Sequence, residues 1–356
     1  MSKSFLDEIY KWAESKSPWL KQCGIEALSE LGDMRAFPIF IENLKNENPD
    51  VRYYSIKGLV NIGNPKALKY LFFALETEKD DEIIQKINDA IISLADRSCY
   101  ADILPFLESK NVLVRGLACE VLGHLKEVRA VPHIVNLLSD SNKEVKRLAA
   151  EALGSIGDRK ASRLIFNLIR EKGEDEVFIE GAIWALGNLK EVSAKSFLIK
   201  LSEHSNPEIR ASAIWALGKI GSVDTTEIFI KGLSDEDVNV RYESVLALGK
   251  VKDSESVKYL LKALEKEKDD EIKSTIIEVL ARIGDSTIIS TLINQLHNPS
   301  ISVRMATINA IKKLGIKKAI PYLINLLKDE DDLVREAARS TLLFFKRKYL
   351  FENEDE

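Results

Sequence analysis

Apolar and polar positions along this 356-residue chain recur with a period of about 31 residues. Each copy of the pattern is marked by an apolar residue that is usually followed by Arg or Lys, and we take that apolar residue as position zero. The eleven copies start at Leu20, Val51, Ile83, Val114, Val145, Phe178, Ile209, Val240, Ile272, Val303 and Val334. A repeat of this length predicts an array of similar structural units and not a single compact core.

Two positions that were not used to set the register support it. Position eight is Leu or Ile in every copy, and position minus three is always Ser, Asn or Asp, the residues that cap helix N-termini. The cap residues are Ser17, Asn48, Asp80, Asn111, Asn142, Asp175, Asn206, Asp237, Asp269, Ser300 and Asp331. Positions 0, 4, 7, 8 and 11 fall on one apolar stripe at helical spacing, so each copy begins with an amphipathic helix, here called the V-R helix.

A second helix is predicted between consecutive V-R helices. Near position 12 a glycine ends six of the V-R helices, because glycine adopts left-handed backbone angles without a Cβ clash. These glycines are Gly32, Gly63, Gly157, Gly221, Gly284 and Gly315. New cap residues and second apolar runs, such as 130–138 and 319–327, follow the turn. Each repeat is therefore a pair of helices joined by tight turns.

The consensus VRxxAxxALGxIGDxxAxxxLIxxLL resembles the short HEAT repeats of the phycobilisome-lyase type over essentially the whole chain. The resemblance implies an all-α, right-handed α-solenoid (superhelix) of about eleven two-helix repeats, with the V-R helices lining a concave groove. Repeats 3 and 6 depart from the consensus, with Ile84 and Ile179 in place of Arg. We place the repeats at about 4–32, 33–63, 64–95, 96–126, 127–157, 158–190, 191–221, 222–252, 253–284, 285–315 and 316–346, and an acidic tail at 347–356.

Composition narrows the class of protein. Apolar residues make up 45% of the chain and charged residues 30%, which is typical of a soluble protein. No signal peptide and no run of 18 apolar residues is found, so we expect a cytoplasmic protein without a membrane partner. The three cysteines, Cys23, Cys99 and Cys119, form no close pair, and neither disulfides nor a zinc site is expected.

Position one carries a row of basic residues with two interpretations. The row consists of Lys21, Arg52, Arg115, Lys146, Arg210, Arg241, Lys273, Arg304 and Arg335. It could be a cationic ladder for nucleic acid. We favour the alternative, in which each basic group pairs with carboxylates or carbonyls of a neighbouring loop near its own helix N-terminus.

The face opposite the apolar stripe, at positions 2, 6 and 10, carries the candidate site. Trp184, Trp215 and Leu246 stand consecutively at position 6, and Tyr242 and Met305 join them at position 2. Position 10 of repeats 7 to 10 is Lys219, Lys250, Arg282 and Lys313. Position 6 excludes a core role for the tryptophans, so each indole is either exposed or lies flat over the neighbouring helix.

An apolar strip flanked by cations predicts a protein or peptide partner with apolar anchors and acidic flanks, held in the groove of repeats 6 to 10. The sequence therefore favours a non-catalytic protein–protein interaction scaffold. No catalytic, cofactor-binding or metal-binding residue is predicted, because the four histidines lack ligand spacing and no phosphate loop or nucleophile motif is found. Neither the oligomeric state nor the pathway follows from these patterns.

Two alternatives stay open. The resemblance to bilin lyase subunits suggests a protein that handles a phycobiliprotein and its chromophore, with Trp184, Trp215 and Tyr242 stacked on an open-chain tetrapyrrole. A nucleic-acid-binding HEAT protein is the other. The net charge of −5 and the acidic position 6 of the first half of the chain disfavour nucleic acid.

Overall fold

The computed structural model of the protein describes residues 3–172 and 176–352. These residues form α-helices and short 3₁₀ turns, and no β-strand occurs among them. The predicted cap Asp175 and the last residues of the acidic tail, 353–356, lie outside the described residues. The last helix continues to Glu352, so the first part of the predicted tail is helical.

The chain divides into two compact units, Met1–Leu189 and Lys190–Glu356. The N-terminal unit contains six pairs of helices, in which a first helix, shorter than its partner in all pairs but the sixth, precedes a V-R helix. The pairs are α1 (Lys3–Ala13) with α2 (Pro18–Leu31), α3 (Phe37–Asn43) with α4 (Pro49–Ile62), α5 (Leu68–Leu75) with α6 (Asp81–Leu94), α7 (Tyr100–Ile103) with α8 (Val112–His124), α9 (Val131–Leu137) with α10 (Lys143–Ile156), and α11 (Arg159–Lys172) with α12 (Glu176–Asn188). Within this unit, successive V-R helices such as α8, α10 and α12 pack on one another.

The C-terminal unit contains five pairs: α13 (Lys195–Leu201) with α14 (Pro207–Ile220), α15 (Thr226–Gly232) with α16 (Val238–Val251), α17 (Val257–Lys266) with α18 (Asp270–Ile283), α19 (Ile289–Gln295) with α20 (Ile301–Leu314), and α21 (Ile320–Asn325) with α22 (Asp332–Glu352). Its V-R helices also pack on their neighbours. Each unit is therefore a stretch of all-α solenoid.

The predicted caps start most of the V-R helices. Side-chain oxygens accept backbone N–H groups of the first turn at Asn48, Asp80, Asn111, Asn142, Asn206, Asp237, Asp269 and Asp331. Ser17 and Ser300 occupy the cap position without such a bond. The Ser300 hydroxyl lies 2.9 Å from the Ser302 hydroxyl instead, so it is engaged elsewhere.

Left-handed residues end the helices as predicted. All six predicted glycines have positive φ, between 59° and 86°. In three of the repeats that lack glycine there, Lys126, Lys190 and Lys252 take the same conformation, with φ from 50° to 55°, whereas Ala95 of repeat 3 is extended. The geometry of the repeat therefore overrides the steric preference of the residue.

The apolar stripe is the core of each unit. Position eight is fully buried in the first ten repeats, from Leu28 to Ile311. In the last repeat, Leu342 is only half-buried. The difference follows because no further V-R helix packs on α22 among the described residues.

The arginines of position one join consecutive repeats. Arg241 donates two hydrogen bonds to the carboxylate of Glu267, at 2.8 and 3.1 Å, and two to the carbonyl oxygens of Asp235 and Glu236, both at 3.1 Å. The carbonyls belong to the loop before its own helix and the carboxylate to the loop before the next V-R helix. We call this arrangement the arginine clamp, and it recurs as Arg52–Glu78, Arg115–Asp140, Arg210–Asp235 and Arg304–Asp329.

The cationic-ladder interpretation of this row is wrong for the clamped arginines. Their side chains are only 6% to 20% exposed, and their donors are directed at protein acceptors, so they are not presented to a ligand. The favoured alternative, pairing with the neighbouring loop, is confirmed for all five. Arg335 in the last V-R helix keeps only the carbonyl half, to Asp329 and Glu330.

The acidic residue of each clamp also accepts hydrogen bonds from backbone N–H groups of its own loop. Glu267 accepts the backbone N–H groups of Lys268 and Asp269 in addition to Arg241. Burial alone would raise the pKa of Glu267, but the hydrogen bonds from Arg241 and from the two N–H groups outweigh burial and lower that pKa. The carboxylate is therefore held ionised.

Removing a clamped arginine should destabilise the protein. In Arg241→Ala, Glu267 keeps its charge in a poorly exposed site and loses its ionic partner, which we expect to cost about 2 to 3 kcal/mol in the free energy of unfolding. Lys273→Ala is the matched control, since its 2.8 Å pair with Asp270 is a helix-surface contact worth roughly 0.3 to 0.5 kcal/mol. Urea unfolding followed by circular dichroism compares the two, and equal losses would show that the clamp adds nothing.

The clamp should also make stability depend on pH. Because the pKa of Glu267 is lowered on folding, its contribution is present above the pKa of the unfolded chain, about 4.3, and is lost as pH falls through the lower folded value. The stability difference between wild type and Glu267→Gln should therefore be largest near neutrality and shrink below about pH 4. A difference that stays constant from about pH 7 to about pH 3 would contradict this role.

Candidate partner-binding face

The predicted site residues belong to both units. Trp184 lies on α12 of the N-terminal unit, and the other eight lie on V-R helices of the C-terminal unit. Each group is described within its own unit.

The indole of Trp184 packs against Gly154 of the adjacent helix α10. A methyl group in place of the Gly154 hydrogen would lie 3.0 Å from Cζ3 of Trp184 and 2.7 Å from the Cα of Ala185. The indole edge therefore lies over α10, where only glycine leaves room. The side chain is still 36% exposed, so both interpretations of its position hold in part.

A shallow hollow of about 470 Å³ lies beside Trp184. Position 10 of repeats 4 to 6 supplies His124, Ser155 and Asn188 to its lining, and Lys126 also lines it. Gly123 and Gly154 keep its wall free of side chains. The hollow presents an aromatic wall with an imidazole, a hydroxyl, an amide and an ammonium group.

In the C-terminal unit the predicted apolar residues are half-buried. Trp215 on α14, Tyr242 and Leu246 on α16, and Met305 on α20 are neither core nor fully exposed. The ammonium of Lys219 lies 5.3 Å from the ring centroid of Trp215, within range of a cation–π interaction. These side chains present partly apolar surface beside positive charge.

The predicted cations lean over the neighbouring helix. Relative to a methyl group placed at Gly218, Lys250 Nζ would lie at 3.9 Å, and relative to one at Gly249, Arg282 Nη1 would lie at 3.5 Å. Lys250, Arg282 and Lys313 are exposed and Lys219 is half-buried. Within the described part of the chain, none of the four forms a salt bridge, so their charge is available to a ligand.

Sequence reasoning missed Glu243, which lies among these cations. Its Oε2 atom is buried and accepts no hydrogen bond from any described residue. Burial raises the pKa of Glu243, and the positive charges of Lys250 and Lys219 act in the opposite direction. Burial lowers the pKa of Lys250, which Glu243 opposes in turn. The available signal was that Glu243 is the single carboxylate at position three in eleven repeats.

The charges on the same face of the N-terminal unit are largely paired within the unit. Lys57 pairs with Glu30 at 2.5 Å, and Arg147 pairs with both Glu144 and Glu151. The Lys86 ammonium lies 4.9 Å from the ring centroid of Tyr53. Available positive charge is therefore a feature of the C-terminal unit's face.

The described residues contain no group of three His, Cys, Asp or Glu side chains close enough to hold a metal ion. No helix among them combines the length and apolar character needed to cross a membrane.

A comparison with protein families shows the family of this chain. A family model described as HEAT repeats matches residues 6–92, 100–178, 131–204, 164–231, 196–281 and 257–343. The chain belongs to the HEAT repeat family. The matched family is HEAT repeats in general, so the phycobilisome-lyase subtype stays a prediction from the sequence. The comparison with curated proteins gives no match.

Solved structures share the HEAT repeat fold at low identity. Importin beta matches 96% of this chain and 57% of its own, with TM-score 0.70 and 13% identity. Kap121p matches 98% of this chain and 46% of its own, with TM-score 0.63 and 14% identity. Kap95p, in a structure with RanGDP, matches 96% of this chain and 56% of its own, with TM-score 0.62 and 13% identity. The chain thus spans about half the length of these structures, which show its fold alone.

Proposed function

We propose that this HEAT repeat protein is a non-catalytic scaffold that binds a partner polypeptide on the V-R helix face of its C-terminal unit. The observation that carries the proposal is the set of half-buried apolar side chains, Trp215, Tyr242 and Leu246, beside cations without salt-bridge partners. Aromatic residues in such surroundings dominate the energetics of protein interfaces. Unpaired cations favour a partner with acidic residues next to its apolar anchors.

Other proteins with this fold support a polypeptide ligand. Kap121p has been solved bound to Ste12p and bound to Nup53p, and Kap95 has been solved in a complex with Nup1. In those cases a protein of this fold binds a polypeptide. We therefore propose a polypeptide ligand for this chain, without proposing any of the named partners.

Trp184 and its hollow form a second, smaller surface within the N-terminal unit. We propose that it contacts a polypeptide through its exposed indole surface, with His124, Ser155 and Asn188 as polar neighbours. The bilin-lyase-like role and a cytoplasmic location stay predictions from the sequence. Nucleic acid is disfavoured because the clamped arginines are unavailable.

The test is a binding experiment with matched variants. Polypeptides retained by the wild-type protein are identified, and the dissociation constant of the purified partner is measured for wild type, Trp215→Ala/Leu246→Ala and Lys250→Ser/Arg282→Ser. Tyr322→Ala/Leu327→Ala, which truncates two exposed apolar residues away from the face, is the control. We expect the first pair to weaken binding at least about tenfold and the control to leave it unchanged.

The charge variant gives a separate readout. Lys250→Ser/Arg282→Ser should weaken binding and reduce its dependence on salt concentration, since both cations are exposed. Circular dichroism confirms that all variants fold. A partner bound equally well by wild type and both face variants would overturn the proposal, and a retained tetrapyrrole in place of a polypeptide would favour the bilin alternative.

A further inference from the structure

Two hollows with the same arrangement of side chains occur at equivalent places in the two units. One lies between α3 and α5 in the N-terminal unit, with a volume of about 740 Å³, and the other between α15 and α17 in the C-terminal unit, with about 520 Å³. Eleven of the twelve residues lining each hollow have a counterpart 189 residues away in the other. We call them the N-terminal hollow and the C-terminal hollow.

The framework of the two hollows is shared. Each has an arginine clamp at its base, Arg52–Glu78 or Arg241–Glu267, and a tyrosine with a lysine over its ring. The Lys69 ammonium lies 5.0 Å from the Tyr70 centroid, and the Lys258 ammonium lies 5.1 Å from the Tyr259 centroid. Segments 69–83 and 258–272 are identical at 12 of 15 positions.

The hollows form where a repeat is one residue longer. Val51 and Ile83 are 32 residues apart, as are Val240 and Ile272, whereas most repeats have 31. The added length falls in the shorter helix, because α5 has 8 residues and α17 has 10, compared with 7 in α15. In these two repeats the clamp acid is Glu, and in the other clamps it is Asp.

The linings differ in charge at four aligned positions. Phe73 and Thr77 of the N-terminal hollow correspond to Lys262 and Lys266 of the C-terminal hollow, and Lys45 and Asn46 correspond to Ser234 and Asp235. Lys262 and Lys266 are four residues apart on one face of α17, and Lys268 follows the helix. All three are exposed, and none forms a salt bridge with a described residue.

Like charges four residues apart destabilise an isolated helix, so this row of lysines is not explained by the fold. Two of the acids that line the hollow, Glu267 and Asp235, belong to clamps, and the exposed Glu236 has its carboxylate 3.8 Å from Arg210.

We propose that the C-terminal hollow binds an acidic polypeptide segment. Carboxylates of the ligand pair with Lys262, Lys266 and Lys268, and an apolar side chain of the ligand packs on Leu233, Ala263 and Tyr259. The N-terminal hollow is lined by Lys45 and Lys79 but has Phe73 and Thr77 in place of Lys262 and Lys266, so it lacks the row of three lysines and does not take this ligand. The site is distinct from the V-R helix face around Trp215, Tyr242 and Leu246, here called the Trp215 face, and does not depend on it.

The lining favours a polypeptide over nucleic acid. Leu233, Ala263 and Tyr259 give the hollow an apolar floor, and the carboxylates of Glu236 and Glu267 also line it. A polypeptide can place an apolar side chain on this floor and single charges at the lysines, whereas a continuous phosphate chain would leave the apolar floor uncovered.

The test uses a fluorescent peptide with two acidic residues on each side of one phenylalanine. Its affinity is measured by anisotropy for the full chain and for Lys262→Phe/Lys266→Thr, which gives the C-terminal hollow the side chains of its counterpart at these two positions. We expect the dissociation constant to rise roughly 5- to 10-fold, because two partly exposed ion pairs are lost. Lys110→Thr/Lys318→Thr, with the same charge change at exposed sites elsewhere, should bind like wild type.

A reciprocal variant, which should gain binding, distinguishes loss of the site from loss of the folded structure. Phe73→Lys/Thr77→Lys should add a second site, so that the number of peptides bound per chain rises from one to two. Both series are repeated with Lys250→Ser/Arg282→Ser present, which separates this site from the proposed partner-binding face.

Three outcomes would overturn the proposal. The first is unchanged affinity in Lys262→Phe/Lys266→Thr. The second is loss of peptide binding in Lys250→Ser/Arg282→Ser alone, which would place the peptide on the Trp215 face and support that proposal instead. The third is tighter binding of a single-stranded oligothymidine than of the peptide, with the same dependence on Lys262 and Lys266.

Discussion

The arginine clamp is the interaction on which the rest of the structure depends. A cation near a helix N-terminus is placed against the helix dipole, so it needs acceptors to be tolerated. The guanidinium meets this need because its fork donates to carbonyls on one side and to a carboxylate on the other. One side chain thereby joins the start of its own helix to the loop before the next, and fixes the step between two repeats.

Residue choice along the chain follows this constraint. Each of the five clamped arginines has Asp or Glu 25 or 26 residues later, as in Arg115 and Asp140. Where position one is Lys21, Ile84 or Lys273, the residue 25 positions later is neutral and is Asn46, Ser109 or Asn298. Asn46 and Ser109 still accept the N–H group of the residue two further along, so the loop is retained without the ion pair. An isolated carboxylate would be costly there, which explains why the two positions change together.

Much of the fold could be predicted because its signals are local. Caps such as Asn48 and stops such as Gly157 act within one turn of the chain, and the buried stripe is a property of one helix. The left-handed Lys252 and the cap Glu191 were not predicted, since neither residue type favours its position and the repeat imposes it. The clamp partners were predicted only as a class, because contacts between residues 25 apart need the packed neighbour to define them.

The candidate partner-binding face also has some properties that the sequence predicts and others that depend on packing between helices. The helical register correctly removed Trp215 and Leu246 from the core, but it could not give their half-burial, which depends on the side chains of adjacent helices. Contact of Trp184 with Gly154 and burial of Glu243 are also products of packing between helices. The hollows escaped prediction because one added residue per repeat has no visible effect on the apolar pattern.

Clamps and core contacts act only between nearest neighbours, and this has a consequence for how such a chain grows. A block of repeats can be copied and inserted without redesign, provided that each junction brings its own matched pair of residues. The 189-residue offset between the two hollows equals six repeats and carries the mark of one such event. The two copies differ in the core, where Phe72 corresponds to Leu261, and at the surface, where Phe73 corresponds to Lys262. The clamp is common to both, so the geometry of the step between repeats is what the two copies share.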